Sequence, residues 1–363
     1  MQNHIGMPKC FIMQFSELQL ELKCNRKFGI DTYFYSLKNA RLLFSNIIPI
    51  QNQETKDEKP ITETRGLILK NASNEIILSS FSRDNTIRSS YIEKTQSVWD
   101  KPDELQLSGI SFFCGDRFTD GNMCHTTLDH LIRAWQCQEC KITVDQFIFY
   151  ESTWPWAKKI INNMLPNSKV IYIKELQCIH FEQLLFCANS FGGPGNTFAK
   201  SGMLGLSLKH PACLANRRFL KKLRRLTFKL TEQLDEIMPK KIFISRKSPA
   251  RRFANQDELE KAIESYSYNI LYLEEISIQT QMKAFQSADI IIGLHGAGMT
   301  NIIGCKNRTK VVEIFGERGT SSYADIAVSL GLEYIHLRIA DQKNYSKADI
   351  DRLVCFLKNL EKQ

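Results

Sequence analysis

The chain predicts an α/β protein built on parallel sheets. Three observations carry that reading. From Leu107 onward, short apolar runs alternate with amphipathic runs of helical period, as successive strands and helices do. The connections between them are short, and such a series requires parallel strands covered by helices on both faces. The chain is 363 residues long, which at ~100–200 residues per domain implies two domains. Its 43% apolar and 24% charged residues exclude disordered and collagen-like classes.

The first hundred residues read least clearly. Ile68–Lys70 and Glu75–Leu78 suggest a hairpin across Asn71–Asn74, and the polar stretch Gln51–Pro60 an exposed loop. Ser111–Cys114 reads as a strand. Residues 122–135 read as a helix, with Leu128, Leu131, Ile132 and Trp135 at helical spacing. A strand (Gln146–Tyr150), a helix (Trp156–Leu165), a strand (Lys169–Ile173) and a turn-rich loop, Phe191–Asn196, follow. Leu220, Leu223, Leu226, Leu230, Leu234 and Ile237 then form one apolar stripe on a helix from Asn216 to Met238, which Pro239 ends.

The C-terminal part is more regular. Strands are expected at Lys241–Ser245, Asn269–Leu273, Asp289–Leu294, Lys310–Phe315 and Leu332–Leu337. Helices are expected at Gln256–Ser265, Ile278–Ala288 and Ser322–Gly331. Asn255, with Glu258 three residues later, is placed to cap the first of these helices in a capping box.

No run reaches the ~18–20 apolar residues of a membrane span. The first residues lack a basic region followed by an apolar one, so neither leader nor anchor is expected. Eleven cysteines, an odd number, fit reduced thiols in a cytosol-like compartment. Charge is concentrated. Between Ser207 and Arg252 stand 14 Lys and Arg against 3 Asp and Glu, in a chain of net charge +9. A patch of that kind suits a solvated helix face or an anionic ligand.

The sharpest local feature is Gly293-Leu294-His295-Gly296-Ala297-Gly298-Met299-Thr300-Asn301, which leaves a buried-type strand and opens a helix. Small residues let a ligand approach the backbone, unpaired N–H groups at a helix start favour a phosphate, and His295 can donate to a phosphate oxygen. Arg246 stands at the same carboxyl edge, where a guanidinium can grip a diphosphate, with Arg251 and Arg252 in the next loop. Glu313, a carboxylate in an apolar strand, suits ribose hydroxyls or, equally, a water-exposed strand end. Asn122, His125 and Asp129 share one helix face at i, i+3 and i+4 spacing, so His125 gains an orienting carboxylate one turn away. A polar helix start explains that trio as well.

Together these segments resemble glycosyltransferase family 61. The resemblance lies in residues 244–259, 273–301, 311–315 and 322–337, and in an Asn-x-x-His-x-x-x-Asp element, Asn122 to Asp129. It runs from Gly115 to Leu337 and is strongest from Ile244 to Phe315. It implies a GT-B-like architecture, two Rossmann-like lobes whose parallel sheets face a central cleft. The implied divisions are a β-rich segment packed on the first lobe (1–105), an acceptor-side lobe (106–215), a connecting basic helix (216–240), a nucleotide-sugar lobe (241–345) and a C-terminal helix (346–363). The implied reaction moves a sugar, GlcNAc or a pentose, from a UDP-sugar to a hydroxyl of a glycan or glycoprotein, with inversion. No cofactor or metal is expected. Carried over by position, Arg246, His295, Gly296, Ala297, Gly298, Thr300, Asn301 and Glu313 would bind the donor. His125 and Asp129 would be catalytic and Asn122 would face the acceptor.

Two motifs read as decoys. Asp349-Ile350-Asp351 is formally a D-x-D, but Ser346 is placed to cap a helix whose third position is Asp349, with Leu353, Phe356, Leu357 and Leu360 on its apolar face. Cys137 and Cys140 form a C-x-x-C with no second pair at zinc-ribbon spacing. An α/β-hydrolase is set aside, because no G-x-S-x-G elbow exists. The remaining alternative is a non-catalytic nucleotide- or nucleic-acid-binding protein on the same scaffold; no nucleic-acid-binding signature accompanies the basic helix.

Overall fold

The computed structural model of the protein describes residues 19–23, 33–49, 63–70, 105–115, 123–151, 153–174, 177–187, 211–247, 255–315, 322–338 and 346–360. Two compact units divide the chain, Met1–Asn196 and Thr197–Gln363. The fold is mixed α/β, with one sheet rich in parallel strands in each unit.

The sheet of the first unit contains β1 (Gln19–Lys23), β2 (Tyr33–Pro49), β3 (Glu63–Lys70), β4 (Leu105–Phe113), β5 (Gln146–Tyr150), β6 (Lys169–Ile173) and β7 (Cys178–Cys187). Its order is β1-β2-β7-β4-β5-β6, with β3 also on β2. Strands β7, β4, β5 and β6 are mutually parallel. Their order, β6-β5-β4-β7, is the 3-2-1-4 of a Rossmann half, whose switch point lies between β4 and β7. Strand β2 pairs antiparallel with β7, so residues 33–49 extend the same sheet. The core under it includes Leu37, Leu42, Phe113, Ile148, Ile179, Phe181 and Phe186, all buried.

Strand β7 was not foreseen, because Glu182 and Gln183 interrupt its apolar run. The sheet explains Glu182. Strand β4 bulges between Leu107 and Ile110, where Gly109 has φ +72°. Glu182 accepts from the Gly109 N–H at 2.7 Å, and Asp145 accepts from Ile110 N–H at 2.7 Å. A bulge frees backbone donors, and these two carboxylates satisfy them. The expected loops at Gln51–Pro60 and Phe191–Asn196 and the second half of the expected hairpin lie outside the described residues.

The helix expected over 122–135 is not regular. It runs as α1 (Met123–His125), a π-helical turn (Thr126–His130) and α2 (Leu131–Glu139). Helix α3 (Pro155–Met164) follows β5. Buried Arg133 of α2 donates to the carbonyls of Cys114 (3.3 Å) and Gly115 (2.5 Å), which ties the helix to the carboxyl end of β4. Cys137 is buried on α2 and Cys140 is its C-terminal cap.

The second unit is the parallel sheet the sequence predicts. It holds β8 (Lys241–Ser245), β9 (Asn269–Tyr272), β10 (Ile290–Leu294), β11 (Lys310–Phe315) and β12 (Glu333–Arg338). Every neighbouring pair is parallel, and the order is β12-β11-β10-β8-β9. Counted in chain order this is 2-1-3-4-5, a doubly wound sheet with its switch point between β8 and β10.

Helices flank it: α4 (Pro211–Thr231), α5 (Gln256–Glu264), α6 (Ile278–Ser287), α7 (Ser322–Leu330) and α8 (Lys347–Leu360). Leu259 and Ile263 of α5 and Leu353, Leu357 and Leu360 of α8 cover one face, over Phe243, Ile292 and Val312.

Helix α4 is the basic helix, and its limits differ from the expectation. It stops at Thr231, so Leu234 and Ile237 lie beyond it and Ile237 is fully exposed. It packs on α6 and α7 inside the second unit. Arg224 Nη1 donates to Cys305 O (3.3 Å), Asn307 Oδ1 (3.0 Å) and Leu330 O (3.2 Å). The helix is therefore a layer of that unit rather than a free connector. Asn255 precedes α5, but its side chain makes no capping hydrogen bond. The Ser346–Asp349 capping box is present: Asp349 N–H donates to Ser346 Oγ, and Ser346 N–H to Asp349 Oδ2, both at 3.1 Å.

Candidate functional site

Strands β8 and β10 lie side by side, and the chain leaves them in different directions. The residues that emerge at their carboxyl ends are Arg246 and His295. Arg246 Nη2 donates to the backbone carbonyl of His295 at 2.6 Å. The two residues, 49 apart in sequence, thus meet at the switch point where doubly wound sheets bind ligands.

His295 is held from below by a buried carboxylate, and Arg246 by the Gln256 amide, which a second buried carboxylate, Glu260, holds in turn. His295 is anchored through its own N–H to Ile314 O at 2.9 Å. Its ring Nδ1 lies 2.5 Å from Glu313 Oε1, and Tyr334 donates to Glu313 Oε2 at 2.5 Å. The His295 side chain is 25% exposed and that of Glu313 is 0% exposed. Glu313 therefore does not reach water, which removes the exposed-strand-end reading. Burial, with the Glu313 carboxylate beside it, pushes the Tyr334 phenol far above its ordinary range, so it remains a donor. The ring of buried Tyr323 stands 5.4 Å from that of His295.

Under Arg246, Gln256 Nε2 donates to its backbone carbonyl at 3.0 Å and to Glu260 Oε1 at 2.7 Å. Buried Glu260 also accepts from Ser245 Oγ, and from Tyr272 OH at 2.7 Å. Neither Gln256 nor Glu260 was singled out from sequence, although their i, i+4 spacing one loop after Ser245-Arg246 is a signal. Tyr334 left none, since it reads as an ordinary strand tyrosine.

Gly296, Ala297 and Gly298 follow His295 and are partly exposed. A Cβ on Gly296 would stand 3.2 Å from Arg246 Cζ and closer still to Nη2. A Cβ on Gly298 would meet Leu273 Cδ1 at 2.7 Å. The helix opened here, Ala297–Gly304, is 3₁₀ rather than α. Its residues from Met299 onward are buried, and packing sets its pitch. Asn301 Nδ2 donates to Gln281 Oε1 at 2.9 Å, and Thr300 is fully buried beside it. Asn301 thus braces the loop from inside, and neither residue reaches the surface where a donor would bind.

On the first unit, His125 ends α1 and Asp129 lies in the π-turn. Their side chains, and Asn122, Arg251 and Arg252 altogether, lie outside the described residues. Among the described residues no group of three or more His, Cys, Asp and Glu could hold a metal ion, and no helix is long and apolar enough to cross a membrane. Asp349 is spent on its helix cap, not on a ligand.

A guanidinium and a carboxylate-backed imidazole thus stand together at the switch point of the parallel sheet of an α/β protein. The sequence model of glycosyltransferase 61 matches residues 123–312. The chain belongs to glycosyltransferase family 61. It is 28% identical over 95 residues to the EGF domain-specific O-linked N-acetylglucosamine transferase of Drosophila melanogaster, a match covering 25% of this chain and 18% of that protein. Against the beta-1,2-xylosyltransferase of Arabidopsis thaliana the identity is 35% over 89 residues, covering 24% and 17%. The chain thus matches less than a fifth of the length of either relative. A rubredoxin:oxygen oxidoreductase from Desulfovibrio gigas covers 90% of this chain at a TM-score of 0.27 and 10% identity, which carries no argument.

Proposed function

We propose that this protein transfers a sugar from a UDP-sugar donor to a hydroxyl of a glycan or glycoprotein. GlcNAc and a pentose are the two sugars the relatives' names suggest. The observation that carries the reading is the meeting of Arg246 and His295 at the β8/β10 switch point of a family 61 chain. Arg246 and His295 bind the diphosphate and stabilise the charge that grows on it as the sugar leaves. Gly296, Ala297 and Gly298 let that group approach the backbone, and Glu313 acts on it through His295. Because these two donors stabilise the charge on the leaving group, turnover needs no divalent metal.

The acceptor side belongs to the first unit in this reading. Single displacement with inversion needs one group to take the hydroxyl proton. His125 is that base and Asp129 orients it, with the reverse assignment as the alternative. Asn122 contacts the acceptor. A GT-B-like architecture is supported by each unit having its own sheet with parallel strands in Rossmann-type order.

Calorimetry with UDP tests the reading. Arg246→Ala removes a charged hydrogen-bond donor and weakens UDP binding by ~1.5–3 kcal/mol. Equal affinities in wild type and variant refute it. A non-catalytic nucleotide binder is distinguished by UDP affinity without UDP-sugar turnover.

A further inference from the structure

We propose that Tyr334 is a positioning residue for His295, acting through Glu313 to fix which ring nitrogen carries the proton. The proposal rests on the donor-site reading above and extends it to a residue that touches no ligand. The geometry is a chain of three side chains from three elements. Tyr334 of β12 donates to one oxygen of Glu313 of β11, and the other oxygen takes Nδ1 of His295, just beyond β10. Both bonds are 2.5 Å.

Register makes the chain possible. Glu313 is paired with Gly293 on one side, where no side chain intrudes, and with His336 on the other. Tyr334 is two residues before His336 and shares its face, since strand side chains alternate.

The chemistry follows from donors and acceptors. A fully buried ionised carboxylate has only acceptor positions, so each partner must bring a hydrogen. Tyr334 brings its O–H and His295 its Nδ1–H. Free imidazole favours the proton on Nε2. Here Nδ1 must carry it, and Nε2 becomes the nitrogen that gains a second proton beside an anion. The imidazolium so formed is matched by the Glu313 charge beneath it. Without the Tyr334 hydroxyl, one Glu313 oxygen is left unpaired in a dry interior, and the carboxylate turns to relieve it. That turn releases Nδ1.

The test is ¹⁵N NMR of the histidine rings of the full chain without ligand, at alkaline pH. The His295 signals are assigned by their loss in His295→Gln. Wild type is expected as the Nδ1–H tautomer, and Tyr334→Phe is expected to move to a mixture dominated by Nε2–H. The UDP dissociation constant of the variant is expected to rise about five- to tenfold, the size of one ordinary hydrogen bond. Should Tyr334→Phe not fold, Glu313→Gln carries the same tautomer prediction, because an amide can donate as well as accept. An unchanged tautomer in the variant that folds overturns the proposal, whatever the affinity. Wild-type protein that binds no UDP refutes the donor reading alone, since the tautomer is read without ligand.

Discussion

Gly296→Ala tests whether the loop after β10 works by leaving room for Arg246. The perturbation is one methyl group. Its carbon would stand 3.2 Å from Arg246 Cζ and within contact of Nη2, the nitrogen that donates to His295 O. The backbone of Gly296, with φ 162°, is extended and tolerates any residue, so the cost is one of space alone. Arg246 has a flexible side chain and can retreat, but only by surrendering its bond to His295 O. A charged hydrogen bond contributes ~1.5–3 kcal/mol. UDP binding should therefore weaken about ten- to a hundredfold, nearly as much as in Arg246→Ala. The assay is a double-mutant cycle by calorimetry. If Gly296 acts through Arg246, adding Gly296→Ala to Arg246→Ala costs little more, and the coupling equals most of the single effect. Additive losses would refute the reasoning.

His125→Ala and Asp129→Ala should leave UDP affinity unchanged and lower transfer by ~10²–10⁴-fold for the residue that is the base; near-wild-type rates in both would move the search to other carboxylates between Lys101 and His210. Transfer should persist in EDTA, and activity abolished by chelation and restored by manganese would overturn the metal-free reading. Asp349 predicts an acid-side effect. Burial pushes its carboxyl up, but hydrogen bonds from Ser346 and the charge of Arg352 together hold it below its ordinary value of 3.8. A depressed folded pKa stabilises the fold above the unfolded value, and the contribution is lost as pH falls through the folded one. Ser346→Ala should thus lower stability by ~0.5–2 kcal/mol at neutral pH, and the gap to wild type in urea melts should narrow in acid; a constant gap would refute the linkage.

What was legible in the sequence depended on how local its cause was. The five strands of the second unit could be read because each is a short apolar run with a helix beside it. The Ser346–Asp349 cap could be read because both partners lie within one turn. Asn255 shows the limit: it has the right type and spacing, yet its side chain makes no cap. The leucine spacing carries the expected helix on to Ile237, although α4 ends at Thr231. Periodicity records what a segment could bury, and the neighbours that would cover Ile237 are not there. Strand β7 was missed because Glu182 answers a bulge 73 residues away, in β4. Glu313 reads as a carboxylate in an apolar strand, but its partners lie on β12 and just beyond β10, so its burial cannot be read from the sequence.

Strand order explains why the residues singled out from sequence gather where they do. In the second unit the chain goes from β8 through α5 to β9 on one side, then through α6 to β10 on the other. The loops after β8 and β10 therefore part, and a crevice opens at the carboxyl edge between neighbouring strands ~4.8 Å apart. An arginine emerging from one strand can then reach the carbonyl emerging from the next, which is the observed Arg246–His295 bond. The first unit follows the same rule independently. Its parallel strands are ordered β6-β5-β4-β7, and the segment from Asn122 to Asp129 follows β4, which borders the switch point. Arg133 fastens the helix that carries this segment to the end of that strand. Position at a switch point, rather than residue type alone, is what separates Arg246, His295 and the His125 segment from the basic residues of α4. Those residues outnumber them but lie on a helix that packs against α6, α7 and the 3₁₀ helix Ala297–Gly304, not at the end of a strand.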